Sequence, residues 1–76
     1  MPKAYLAVHT AAGTSPAVRS ALMEIEAVTD AHVVAGNYDL IVELDAPTTG
    51  ELLPVVTREI HGVDRVGAIR TYIVLE

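Results

Sequence analysis

Tyr38 and Asp39, in the stretch Gly36-Asn37-Tyr38-Asp39-Leu40-Ile41-Val42-Glu43, set a phenol and a carboxylate at the mouth of an apolar run. An ionised carboxylate only accepts hydrogen bonds, so it meets cationic or N–H donors. A buried strand has little structural use for an acid in its first turn, which makes Asp39 the first residue to explain. Gly36 and Asn37 both tolerate positive φ and suit a tight turn between Ala31–Ala35 and Leu40–Leu44. The competing reading is that Asp39 only caps this turn, a common task for the residue.

The remaining polar side chains point to less. His9, His32 and His61 show no metal-ligand spacing, and no acid/base constellation of a catalytic site stands out. Neither a metal nor a cofactor is implied. His9 reads as a histidine satisfied at an interface, His32 as a strand-edge residue and His61 as a helix-end residue. Glu43 reads either as a solvated acid or as a partner for Arg70, across the sheet or across a dimer.

These residues need elements to hold them. Ala4–His9 alternates weakly and reads as a first strand, with Ala4, Leu6 and Val8 on one face and Tyr5, Ala7 and His9 on the other. Ser15-Pro16 signals a helix start, and Val18, Ala21, Leu22 and Ile25 form its apolar stripe. Arg19, Glu24 and Glu26 lie off that stripe, toward solvent. Val28–Ala35 and Leu40–Leu44 are the second and third strands. Thr48-x-x-Glu51 has capping-box spacing for a second helix reaching about His61, with Gly62 beyond its end. Pro54 would then fall inside that helix, so a start near Gly50 or Glu51 is preferred. Val66–Leu75 is the fourth strand, with Ile69, Thr71 and Ile73 alternating against Arg70 and Tyr72.

The order βαββαβ is internally repeated, Ile25-Glu26-Ala27-Val28 matching Ile60-His61-Gly62-Val63. It predicts an α+β, ferredoxin-like domain over residues 1–76: a four-stranded antiparallel sheet with both helices on one face. The other face would carry Tyr5, Ala7, His9, Ile41, Ile69, Thr71 and Ile73, too apolar for water. At 76 residues and 51% hydrophobic, the chain is small enough to need help, and it has no cysteine for a disulfide. Pairing two free faces, as in dimeric α/β barrels, solves both problems. Tyr5, Ala7, His9, Ile41, Ile69 and Ile73 are the expected dimer interface.

Five basic residues against ten acids, for a net charge of −5, exclude the basic patch of a nucleic-acid binder. No apolar run reaches membrane-spanning length and the start lacks a signal peptide's features, so the expected compartment is the cytoplasm.

Val34-Ala35-Gly36-Asn37-Tyr38-Asp39-Leu40-Ile41-Val42 resembles the glycine-x-tyrosine-aspartate strand pair of the Lrp/AsnC regulators' effector-binding domain. Arg70-Thr71-Tyr72-Ile73-Val74-Leu75 resembles its last strand, and Glu59-Ile60 before Gly62-Val63 its second helix end. The resemblance covers essentially the whole chain, in the stand-alone form without a helix-turn-helix. It implies a homodimer with facing sheets, a ring of dimers, and a small effector, commonly an amino acid, bound between dimers. It also implies that Gly36, Asn37 (through its backbone), Tyr38, Asp39 and Thr71 line the pocket. The chemistry is compatible: loop amides of residues 36–38 for a carboxylate, Asp39 for an ammonium, and the Thr71 hydroxyl for either. Three functions compete. The first is a non-catalytic, amino-acid-binding module of transcription regulation. The second is a small dimeric α/β-barrel enzyme, isomerase or cofactor-free monooxygenase, against which the lack of Phe and Trp weighs. The third is a pure assembly module that joins full-length Lrp/AsnC regulators in mixed rings.

Overall fold

The computed structural model describes residues 2–75, apart from the side chain of Thr57. Its elements run β1 (Lys3–Thr10), α1 (Ser15–Met23), β2 (Val28–Val33), β3 (Leu40–Asp45), α2 (Thr49–Pro54), a π-helical continuation (Val55–Ile60), and β4 (Val66–Ile73). The four strands form one antiparallel sheet in the order β2-β3-β1-β4. This is the ferredoxin-like α+β fold. Ala4, Leu6 and Val8 of β1 and Leu40, Val42 and Leu44 of β3 have no exposed surface. They pack with Val18 and Leu22 of α1 and with Leu52, Val56 and Ile60 of the second helical stretch, so both helices cover the same face.

The register of β4 against β1 corrects one expectation. Leu6 lies opposite Thr71, Val8 opposite Ile69 and Ala4 opposite Ile73. Residues directly opposite share a face, so Ile69, Thr71 and Ile73 point to the helix side and not to the free face with Tyr5. Ile69 and Ile73 pack against the core. The free face instead takes Arg70, opposite Ala7, and Tyr72, opposite Tyr5. Ile41 stands on it between Ala7 and His32.

The helices differ from expectation at their starts. Ser15 is the first residue of α1 and not its cap; Thr14 occupies that place without a side-chain capping bond. The Ser15 hydroxyl instead pairs with that of Thr10 at 2.8 Å. Ala21 of the predicted stripe is exposed, whereas Arg19 is not a solvated bystander: its Nε donates to the Ala31 carbonyl at 2.6 Å, tying α1 to β2.

α2 starts at the earlier of the two positions, behind Thr48, whose Oγ1 meets Glu51 Oε2 at 3.2 Å. Pro54 therefore lies within the helix. It has no N–H for the Gly50 carbonyl and its ring crowds that carbonyl. Beyond Pro54 the chain widens to π turns, with His61 N–H reaching back to the Val56 carbonyl. The internal repeat is present but displaced. Val28 N–H bonds to the Ile25 carbonyl on entry to β2, and Val66 N–H to the Val63 carbonyl on entry to β4. Val63-Asp64-Arg65-Val66 is thus the structural partner of Ile25–Val28.

Gly62 earns its place by proximity, since an added Cβ would stand 2.5 Å from the Arg58 carbonyl oxygen. At Gly50, in α2, the nearest atom is 3.9 Å away. Gly62→Ala should therefore lower unfolding free energy by about 1–3 kcal/mol, and Gly50→Ala should raise it by up to about 1 kcal/mol. Urea melts of both variants check this; matching shifts would contradict it.

Candidate functional site

Asp39 sits just before β3, and its backbone extends the ladder on both sides. Its N–H donates to the Val8 carbonyl at 3.0 Å, and its carbonyl accepts from Val34 N–H at 2.9 Å. Leu40 faces the core, so alternation turns the Asp39 side chain to the free face. There its Oδ2 accepts the Thr10 amide at 2.8 Å. That amide needs a partner because β1 slips register against β4 between Val8 and Thr10. The carboxylate thus closes the end of β1 across the sheet and not its own turn, and both contacts, Thr10 N–H and His9 Nδ1 at 3.6 Å, fall on Oδ2. The Asp39 and His9 side chains keep 42% and 44% of their surface open, enough for a ligand to reach them.

Tyr38 extends the cluster across the sheet. Its ring stacks on His9 at a centroid distance of 4.2 Å and an angle of 26°. Beyond His9, its hydroxyl accepts a hydrogen bond from Arg70 Nε at 3.1 Å. Strands lie about 4.8 Å apart, so the phenol from the mouth of β3 passes over β1 to meet a side chain of the edge strand β4. His9 is thereby held by the ring and the carboxylate of the neighbouring loop. Its position on the Tyr5 and Ala7 face was legible; its stacking on Tyr38 was not. Within the chain Arg70 meets Tyr38 and not Glu43, the partner left open from the sequence.

The loop before Asp39 is looser than a two-residue turn. Gly36 has positive φ (149°), while among the described non-glycine residues only Arg65 does, so Asn37 does not use that freedom. The amides of Gly36, Asn37 and Tyr38 make no hydrogen bond among the described residues.

Thr71 does not join this group. It is exposed, on the helix side of β4, opposite Leu6, while Asp39, His9, Tyr38 and Arg70 gather on the other face. One chain therefore does not bring Thr71 and the loop together.

Within the chain Glu43 does not meet Arg70. It meets Lys3 Nζ at 3.4 Å and the Thr29 hydroxyl at 3.0 Å. The Tyr5 hydroxyl first, then Thr29 and Lys3, hold its carboxyl below the ordinary 4.5, and the same contacts raise Lys3 and Tyr5. The free face is thus a mixed surface: Ala7 buried, Ile41 half-buried, and Tyr5 and Tyr72 40% and 61% exposed among paired charges.

Two clefts lie away from the loop. One of about 170 Å³ is lined by Ala17, Ala21, Val63 and Arg65. The other, about 520 Å³, is rimmed by Glu26, Asp45, Glu51 and Glu59.

The sequence pattern of the Lrp/AsnC ligand binding domain matches residues 3–76. The chain belongs to the Lrp/AsnC ligand-binding family. Among solved structures it is similar to the hypothetical protein PHS023 of Pyrococcus horikoshii, at 32% identity and a TM-score of 0.93, covering 100% of this chain and 92% of that one. It is equally similar to FFRP-DM1, at 32% identity and a TM-score of 0.93, covering 99% and 100%. It also shares the fold of a Neisseria meningitidis transcriptional regulator solved with L-Met, at 12% identity and a TM-score of 0.84; there it covers 99% of this chain but 50% of the regulator. No curated protein matches it.

The pH response of this Lrp/AsnC domain follows from Glu43. Its folded pKa is depressed, so its stabilisation is complete above the unfolded value of about 4.5 and is lost as pH falls through the folded one. Wild-type urea midpoints should drop more steeply below pH 4.5 than those of Glu43→Gln. Equal slopes would contradict this.

Proposed function

We propose that this domain is a non-catalytic regulatory module that binds a small amino acid at the loop 36–39 end of the free sheet face and works as a dimer or a ring of dimers. The observation that carries the reading is the group of Asp39, His9, Tyr38 and Arg70, which sets an open carboxylate and a guanidinium around one phenol. A zwitterion needs an acceptor for its ammonium and donors for its carboxylate, and both are present. The amides of residues 36–38 add donors. By contrast, the cleft of Glu26, Asp45, Glu51 and Glu59 would repel a carboxylate. The regulator solved with L-Met supports an amino acid as the ligand class.

Thr71 fits this reading only across copies. A pocket that uses both the loop and Thr71 draws them from different chains, which ties effector binding to assembly. Full-length Lrp/AsnC regulators are further candidate partners for mixed rings. The facing-sheet dimer is proposed through Tyr5, Ala7, His9 and Ile41; Ile69 and Ile73 leave that set because they serve the core.

Ile41→Lys should lower the melting temperature and make it depend on concentration, as read by thermal shift with light scattering. A stable wild-type monomer in dilute solution would sink the dimer. The same thermal shift across the twenty amino acids should find a hit, since a ligand at 100 times its Kd adds roughly 2.7 kcal/mol. Asp39→Asn keeps an oxygen for the Thr10 amide and removes the charge. By calorimetry it should bind the hit roughly ten- to a hundredfold more weakly; equal affinity would reduce Asp39 to a turn residue.

A further inference from the structure

We infer that β4 pairs edge to edge with β4 of a second copy, around a two-fold axis at Thr71, and joins the two sheets into one. The inference stands without the amino-acid reading and uses a surface other than the facing sheets. An edge strand offers its outward amides and carbonyls to any strand that can reach them. The two edges of this sheet are not alike. On β2, Val34 N–H bonds to the Asp39 carbonyl, and alternation from that pair turns the backbone groups of Ala31 outward. Both are already taken. Asp30 Oδ1 accepts the Ala31 N–H at 2.9 Å, and Arg19 Nε donates to the Ala31 carbonyl at 2.6 Å. The chain's own side chains thus close the middle of the β2 edge. On β4, Val74 N–H donates to the Lys3 carbonyl at 2.8 Å, and Thr71 lies opposite Leu6. Alternation from there turns the backbone groups of Ile69, Thr71 and Ile73 away from β1. They meet no partner among the described residues. The β4 edge is open.

The side chains of β4 say what occupies that edge. In an antiparallel pair centred on Thr71, the outward groups of Ile69, Thr71 and Ile73 meet the same outward groups of the second copy. On the helix side Thr71 stands opposite Thr71, and Ile69 opposite Ile73. On the other side the exposed Arg70 and Tyr72 stand opposite one another, so the arginine stem lies along an aromatic ring. A centre at Arg70 would set two guanidiniums opposite each other, and a centre at Tyr72 would set Thr71 against Ile73. The self-complementary register is the one at Thr71. β2 of the second copy is a poorer match, because the Ala31 groups are spent. The joined sheet ends in a closed β2 on both sides, so this contact stops at two chains. Tyr5, Ala7 and Ile41 stay open for a facing copy.

The chain has no cysteine, so single-cysteine variants report the register. A bonded antiparallel pair sets its Cα atoms about 5.5 Å apart, within disulfide reach. Thr71 lies on the helix side, so a facing-sheet dimer cannot bridge it. Under mild oxidation Thr71→Cys should form a covalent dimer roughly a hundredfold faster than Ser20→Cys, because a held pair reacts at a high effective concentration. Ser20 is exposed on α1 and measures chance collision. Thr71→Lys sets two ammonium groups opposite each other and should halve the particle mass seen by light scattering. Ile41→Lys, which breaks the facing sheets, should keep a two-chain particle. Equal bridging rates for Thr71→Cys and Ser20→Cys overturn the pairing, and so does a wild-type mass for Thr71→Lys. If Thr71→Lys does not fold, the bridging rates decide. A bridge that forms only when Thr71→Cys is mixed with Val33→Cys assigns the edge to β2 and overturns the self-pairing. No amino acid enters these measurements, so their failure leaves the effector reading where it stands.

Discussion

The register of β1 between β3 and β4 is the constraint on which the rest depends. With Leu6 fixed between Val42 and Thr71, every other side chain of three strands is committed to the helices or to the free face. A slip of one residue would turn Leu6, Val42 and their neighbours outward and forfeit the core, so the register is strongly specified. The same commitment lifts Ala7, His9, Asp39 and Arg70 onto one surface. The core and the candidate site are two sides of one pairing pattern.

That pattern explains what was legible in the sequence. Element order, the sheet's layering and the core positions of β1 and β3 follow from alternation, because Ala4-Leu6-Val8 and Leu40-Val42-Leu44 have no rival face. β4 was harder. Ile69, Thr71 and Ile73 look as suitable for an apolar interface as for a core, and only the pairing with β1 decides between them. Pro54 departs for a different reason: the rule that proline breaks a helix favours a later start, but α2 keeps the Thr48–Glu51 contact and holds Pro54 as its last residue, with π turns following it. The displaced repeat arises because an apolar-x-x-Val spacing recurs around the second helix end, as Ile60–Val63 and then Val63–Val66, and a hydrogen-bonded turn closes on each.

The candidate site was half legible. Tyr38 and Asp39 stand out as polar residues at a strand mouth, yet the residues they hold come from β1 and β4, tens of positions away. Distance along the chain hid the Arg70–Tyr38 bond, and charge complementarity suggested Glu43 for Arg70 in its place. Glu43 is taken by Lys3, Thr29 and Tyr5 at the opposite end of the face. This separation leaves one end of the face internally paired and the other with an open guanidinium. Asp39 Oδ2 closes the irregular end of β1 while the rest of the group stays accessible. A ligand there would act directly on the strand end that orients the face, which gives a physical route from effector binding to assembly.

The central claim is that an amino-acid zwitterion docks on Asp39, Tyr38 and Arg70. The most direct measurement is a titration of the isotope-labelled protein with L-methionine, followed by the backbone amide and arginine Nε–H resonances. The account predicts saturable shifts centred on Thr10, residues 36–39 and the Arg70 Nε–H. Shifts centred instead on the acidic cleft of Glu26, Asp45 and Glu59 would contradict it.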